Sequence, residues 1–137
     1  TLGHGLMKGH PFATQRFEQA HTHLNEIKTA LILGDVERFI DLTEAEALSL
    51  HAMMMTSNPH FVLMQPNTLA ILQKVEDFRT QTQLPLSFTL DAGANVHLLY
   101  PLQDRIPIID FILKELTKYC QQGQYIEDQV GNGAKKI

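Results

Sequence analysis

The strongest constraint on this chain is a pair of short segments with the two-residue alternation of β-strands. They are LPLSFTL (residues 84–90) and NVHLLY (residues 95–100), joined by Asp91-Ala92-Gly93-Ala94. Phe88 and Leu90 before the break, and Val96, Leu98 and Tyr100 after it, fall on one face of an antiparallel pair. Asp91, Gly93 and Asn95 suit the connection: glycine admits positive φ, and Asp and Asn side chains bond nearby amides. A lone hairpin is marginal in water, so its apolar face needs a cover.

The flanking sequence offers helices for that cover. From Pro11 to Leu33, the residues Phe17, Ala20, Leu24, Ile27 and Leu31 recur at 3-4-3-4 spacing, with Pro11 at the start and Gly34 as a stop. DVERFIDL reads as a short second helix capped by Asp35, with Val36, Phe39 and Ile40 inward. A third opens on a capping-box pattern, Thr43 with Glu46, and carries Ala45, Leu48, Ala52 and Met55 on one face until TSNPH. A further helix from about Pro66 has the stripe Ile71, Val75 and Phe78, with Leu72 beside it. Asp104 can cap a last helix that tolerates Pro107 in its first turn and buries Ile109, Ile112, Leu116 and Tyr119. QYIEDQV reads as a final strand and GNG as a turn. The order predicts an α+β fold with helices on one face of an antiparallel sheet. It matches a split βαβ (ferredoxin-like) plan lacking its first strand.

At 137 residues the chain is one domain in size. No apolar run approaches the ~20 residues of a membrane span. A net charge of −4 with scattered basic residues argues against a nucleic-acid surface. The single cysteine, Cys120, excludes an intrachain disulfide and reads as a buried inert thiol; with no signal peptide, this fits a cytoplasmic setting. TLGHGLMKGHPF lacks an initiator Met and reads as a loop, so the chain is expected to be a fragment.

Among chemical candidates, the seven histidines form no metal pattern. His21 and His23 point about 200° apart on a helix, and no acid or thiol cluster accompanies His4 and His10. The methionines of HAMMMTSNPHF read as core filling. The glycines of TLGHGLMKGH match neither the phosphate-loop nor the dinucleotide pattern. Asp91 is ordinary turn chemistry by itself. Its apolar flanks place it at the edge of a dry core, where desolvation raises a carboxylate's pKa and a nearby cation lowers it.

Taken in order, TLGHGLM, EALSLHAMMMTSNPHFVLMQPNTLAIL, FTLDAGANVHLLY and QVGNGAKKI resemble the C-terminal domain of the diphosphomevalonate decarboxylases. These enzymes, here of bacterial type, belong with galactokinase, homoserine kinase and mevalonate kinase in the GHMP kinase superfamily. The Asp-Ala-Gly-x-Asn element is the most specific part, and Ser-Asn-Pro-x-Phe supports it. The resemblance implies ATP-dependent decarboxylation of mevalonate 5-diphosphate to isopentenyl diphosphate, as a step of isoprenoid biosynthesis. It puts the catalytic carboxylate on Asp91, and contacts to the substrate diphosphate on Thr1 and Gly3. ATP and Mg2+ serve the intact enzyme, whose nucleotide loop, substrate arginine and first strand of this domain would lie upstream. The fragment by itself is expected to bind no cofactor or metal and to be inactive; a homodimer is compatible with it. Ala94 replaces the family's proline, loosening the turn by about 0.4–1 kcal/mol through unfolded-state entropy. His60 stands in the family's Pro-Pro-Phe. A related small-molecule kinase, or a stand-alone ligand-binding α+β module, are the alternatives.

Overall fold

Gly34 and Asp35 divide the first two helices as their chemistry dictates. In the computed structural model, which describes residues 9–131, helix α1 (Ala13–Leu33) ends on Gly34 with φ 68°, a left-handed conformation that glycine adopts without steric penalty. Asp35 then caps α2 (Val36–Met55), its carboxylate accepting from the Arg38 amide at 3.0 Å. The two helices pack side by side as a hairpin.

Helix α2 is continuous, which corrects the expectation of two helices separated by a capping box at Thr43. The Thr43 hydroxyl donates to the Phe39 carbonyl one turn back, so it is an interior helical residue. Glu46 is drawn instead to Arg16 and to His23, whose Nδ1 lies 2.6 Å from its carboxylate. The buried face is Ile40, Thr43, Ala47, His51 and Met54, whereas Leu48, Ala52 and Met55 are exposed. The α1 stripe is half right. Arg16 and His23 turn toward α2 to meet Glu46, which brings Ala20, Ile27 and Ala30 inward and leaves Phe17, Leu24 and Leu31 exposed.

Helix α3 (Pro66–Thr82) leads to the hairpin, in which β1 (Ser87–Leu90) pairs antiparallel with β2 (Val96–Leu99). The register sets Phe88 against Leu98 and Leu90 against Val96, so all four share a face, as the alternation predicts. That face packs on Leu72 and Val75 of α3, on Ala47 of α2, and on Ile108, Phe111, Ile112 and Leu116. Phe88 is 1% exposed; removing such a side chain from water stabilises the fold by about 1.5–3 kcal/mol. The last four core residues come from α4 (Arg105–Phe111) and the π-helical turn Ile112–Leu116 that continues it. Phe78 of α3 stacks on Phe111, ring centroids 4.2 Å apart. Asp104 occupies the cap position of α4 as expected, but its side chain makes no cap bond.

The result is α+β, with helices against a two-stranded antiparallel sheet. The expected strand over QYIEDQV does not form. Residues 124–131 carry no ladder, and Ile126 and Val130 are almost wholly exposed. A strand needs a neighbour, and the outer edge of β1 is already met by side chains: Glu44 of α2 accepts from the Phe88 amide, and Arg79 of α3 donates to the Leu86 carbonyl. Most of the GNG turn lies outside the described residues. Among the described residues no helix is long and apolar enough to cross a membrane.

Candidate functional site

The hairpin presents one acid. Strand β1 ends at the buried Leu90, and the next residue, Asp91, is exposed at the start of the turn. Asp91 therefore stands at the edge of the core, next to the buried Leu90, and is itself exposed to solvent. Among the described residues it has no ion-pair partner.

Two helices pin the turn. On the entry side, Nε2 of His51 lies 3.0 Å from the Asp91 carbonyl. A carbonyl only accepts, so this ring holds its proton on Nε2. His51 is 1% exposed, deep in the α2 contact with β1. On the exit side, the Thr68 hydroxyl donates to the Ala94 carbonyl at 2.8 Å and accepts from the Gln65 amide at 3.1 Å. Thr68 is equally buried and lies in the first turn of α3. The His51 ring and the Thr68 hydroxyl are buried, where a polar group left without a partner costs about 1–3 kcal/mol.

Gly93 serves a purpose other than positive φ, which the backbone does not adopt there. A β-carbon at Gly93 would stand 3.0 Å from Oδ1 of Asp91, tighter than ordinary contact. The glycine therefore leaves room for the carboxylate. Of the residues expected to meet the substrate, Asp91 is placed as above, while Thr1 and Gly3 lie outside the described residues.

The neighbouring motif forms the support. Met53 and Met54 are buried, as core filling predicts, while Met55 is half-exposed. The buried Ser57 hydroxyl lies 2.8 Å from the carbonyls of both Met54 and Pro59, closing the loop after α2. His60 is exposed. His10 is buried, with Nδ1 accepting from the Phe12 amide at 3.1 Å and Nε2 3.0 Å from the Thr56 hydroxyl. His10, His23 and His51 thus bond to separate partners: Thr56 and Phe12, Glu46, and Asp91. Among the described residues no three His, Cys, Asp or Glu side chains gather to hold a metal ion.

The sequence model of the mevalonate 5-diphosphate decarboxylase C-terminal domain matches residues 7–136. The chain belongs to this family. The mevalonate 5-diphosphate decarboxylase domain is also what its fold matches. A solved mevalonate diphosphate decarboxylase from Legionella pneumophila is 30% identical, with a TM-score of 0.78, over 84% of this chain and 36% of that one. A protein called MDDEF, solved in complex with MVAPP, AMPPCP and magnesium, shares the fold at 24% identity, with a TM-score of 0.73, over 80% of this chain and 33% of that one. The phosphomevalonate decarboxylase of Haloferax volcanii is 32% identical over 83 residues, 61% of this chain. The chain spans 26% of the length of that relative.

His51 and Thr68 were not among the sequence candidates. Their signal is the polar atom each puts on a face that is otherwise core: His51 beside Ala47 and Met54, Thr68 beside Leu72 and Val75.

Proposed function

We propose that this chain is the catalytic-aspartate domain of an ATP-dependent mevalonate 5-diphosphate decarboxylase, with Asp91 as the reacting carboxylate. The observation that carries this reading is the mounting of Asp91: an exposed acid on a turn tied to two buried side chains. A solvated turn residue needs no such support. Family membership supplies the reaction class.

In this reading Asp91 faces the tertiary hydroxyl of the substrate. It accepts the hydroxyl proton, or orients the hydroxyl by its charge, as the oxygen takes the terminal phosphoryl group of ATP and ADP leaves. The C–O bond of the phosphorylated carbon then breaks, releasing phosphate and leaving carbocation character beside the carboxylate of Asp91. The electron pair of the adjacent C–CO2 bond becomes the new C=C bond, and carbon dioxide departs. Catalysis of this kind is mostly positioning and electrostatics, for which a fixed hairpin is suited. Magnesium ion, when bound, would supply charge neutralisation to the transferring phosphoryl group. In this reading ATP and the ion are held by other parts of the intact enzyme. Thr1 and Gly3 belong to the same proposal as contacts to the substrate diphosphate. So do a cytoplasmic setting and the absence of ATP-dependent turnover by these 137 residues alone.

The test is Asp91→Asn in the intact enzyme. Phosphate release should fall by about 10²- to 10⁴-fold, with binding of mevalonate 5-diphosphate largely kept. Activity near wild type would return Asp91 to a turn residue. A second reading is favoured by the Haloferax relative, named a phosphomevalonate decarboxylase: the substrate would carry one phosphate instead of two. Comparing kcat/KM for the mono- and diphosphate separates the two readings.

A further inference from the structure

The position of Asp91 depends on a bond from a residue 40 positions away. We propose that His51 is a positioning residue for Asp91: its buried Nε2–H holds the Asp91 carbonyl and thereby aims the side chain that reacts. This rests on the assignment of Asp91 as the reacting carboxylate and adds a second residue to that site.

The argument is geometric. On its amino side, Asp91 follows Leu90, which is buried and paired with Val96 in the ladder. On its carboxyl side the chain enters a turn with no ladder, where ψ of Asp91 would otherwise relax. The His51 bond, 3.0 Å from Nε2 to the carbonyl oxygen, falls on that free side. With both sides of Cα held, the Cα–Cβ direction is set and only the side-chain torsions remain. Gly93, whose Cα hydrogens face Oδ1, then leaves the carboxylate room in that direction.

The chemistry of position 51 supports the same role. Helix α2 packs against the hairpin with Ala47 and Met54 on the same face, and a leucine there would fill similar space. A ring that is 1% exposed carries a desolvation penalty that an apolar side chain does not. The hydrogen bond to the Asp91 carbonyl offsets it, and that bond lies at the residue preceding the rest of the turn. Thr68 holds the far end at Ala94, which keeps the turn from pivoting about a single tether.

The experiment uses the intact enzyme, assayed for phosphate release from ATP with mevalonate 5-diphosphate. His51→Leu removes the donor at similar volume, and its kcat should fall about tenfold to a hundredfold, the usual effect of displacing a reacting group by about an ångström. KM should stay within about twofold, since the substrate diphosphate is bound elsewhere. His51→Gln carries an amide donor at a reach close to Nε2 and should recover most of kcat. His51→Asn places its donor too far back and should not. In an Asp91→Asn background, His51→Leu should add no further loss, because its effect runs through Asp91. Wild-type kcat in His51→Leu would overturn the proposal, as would equal activity of the Gln and Asn variants or a full multiplicative loss in the double variant. If His51→Leu fails to fold, the Gln and Asn pair still decides. An active Asp91→Asn enzyme would sink the Asp91 assignment, whereas an inactive one beside a fully active His51→Leu sinks only this inference.

Discussion

The outer edge of β1 should depend on one ion pair, and its loss can be estimated from the geometry. Arg79 and Glu44 meet fork to fork, Nη1 to Oε1 at 2.7 Å and Nη2 to Oε2 at 3.0 Å. Arg79 also donates to the Leu86 carbonyl at 2.7 Å, and Glu44 accepts a longer bond from the Phe88 amide at 3.4 Å. The hydrogen bond to Glu44 raises the guanidinium pKa further above its ordinary value. Arg79→Met keeps most of the aliphatic stem and removes the fork. It strands a Glu44 side chain that is 12% exposed and a Leu86 carbonyl in the core. Hydrogen bonds to charged groups contribute about 1.5–3 kcal/mol each, and breaking a fully buried pair costs about 3–5. Arg79 is partly solvated, so water can replace some of what is lost, and the expected destabilisation is about 2–3 kcal/mol. Arg79→Met with Glu44→Met should cost less than Arg79→Met alone, because no charge is then left without its partner. Equilibrium urea denaturation of the chain, with the m-value checked for constancy, measures both. A loss below about 0.5 kcal/mol for the single variant, or a double variant worse than the single, would refute this account of the edge.

Four further outcomes follow from individual contacts. Thr68→Val should destabilise by about 1–3 kcal/mol in the same denaturation assay, because the Gln65 amide and Ala94 carbonyl lose a buried partner. Gly93→Ala should change stability by less than about 1 kcal/mol yet reduce turnover of the intact enzyme, since the new methyl meets Oδ1 of Asp91. The Lys74–Glu115 bridge joins α3 to the π turn; the bond to Lys74, and then Lys118, holds the Glu115 carboxyl below the usual range. Its stabilisation is present above the unfolded glutamate pKa of about 4.3 and is lost as pH falls through the lower folded value. Lys74→Met should therefore flatten the acid side of a stability–pH curve, and an unchanged curve would contradict it. Burial pushes the Cys120 thiol pKa up, so alkylation by iodoacetamide near neutral pH should be slower than for a free cysteine thiol and should rise only on the alkaline side.

What the sequence revealed follows the range of the interactions involved. The hairpin, α3 and α4 were legible because alternation and helical spacing act within a few residues, and their faces largely coincide with the observed core. The break placed at Thr43 shows how a local signal misleads: Thr43 and Glu46 have the right spacing for a cap, but nothing before them stops the helix that Asp35 starts. In α1 the stripe was real, yet which part of it is covered depends on Arg16 and His23 meeting Glu46, 30 and 23 residues away. The final strand expected over 124–130 does not form, and among the described residues it has no pairing neighbour. Around the site, Asp91 is proposed through motif resemblance, whereas His51 and Thr68 act on main-chain carbonyls 40 and 26 residues off, contacts that impose no periodicity.

Those same long-range bonds explain why a two-stranded sheet can serve as a mount. A hairpin of four-residue strands is flexible by itself, because each ladder bond is near an end. Here the support comes from the helices: Glu44 and His51 on α2, Thr68 and Arg79 on α3, each bonded to the hairpin backbone or to the residues leading into it. His51 and Glu44 are seven residues apart, two turns of one helix, so α2 touches β1 at both ends of its length with a single face. A displacement of α2 would therefore move the whole strand and Asp91 with it, while a displacement of the turn alone must break bonds to two helices. The carboxylate is exposed to whatever approaches it, and its backbone is not free to follow.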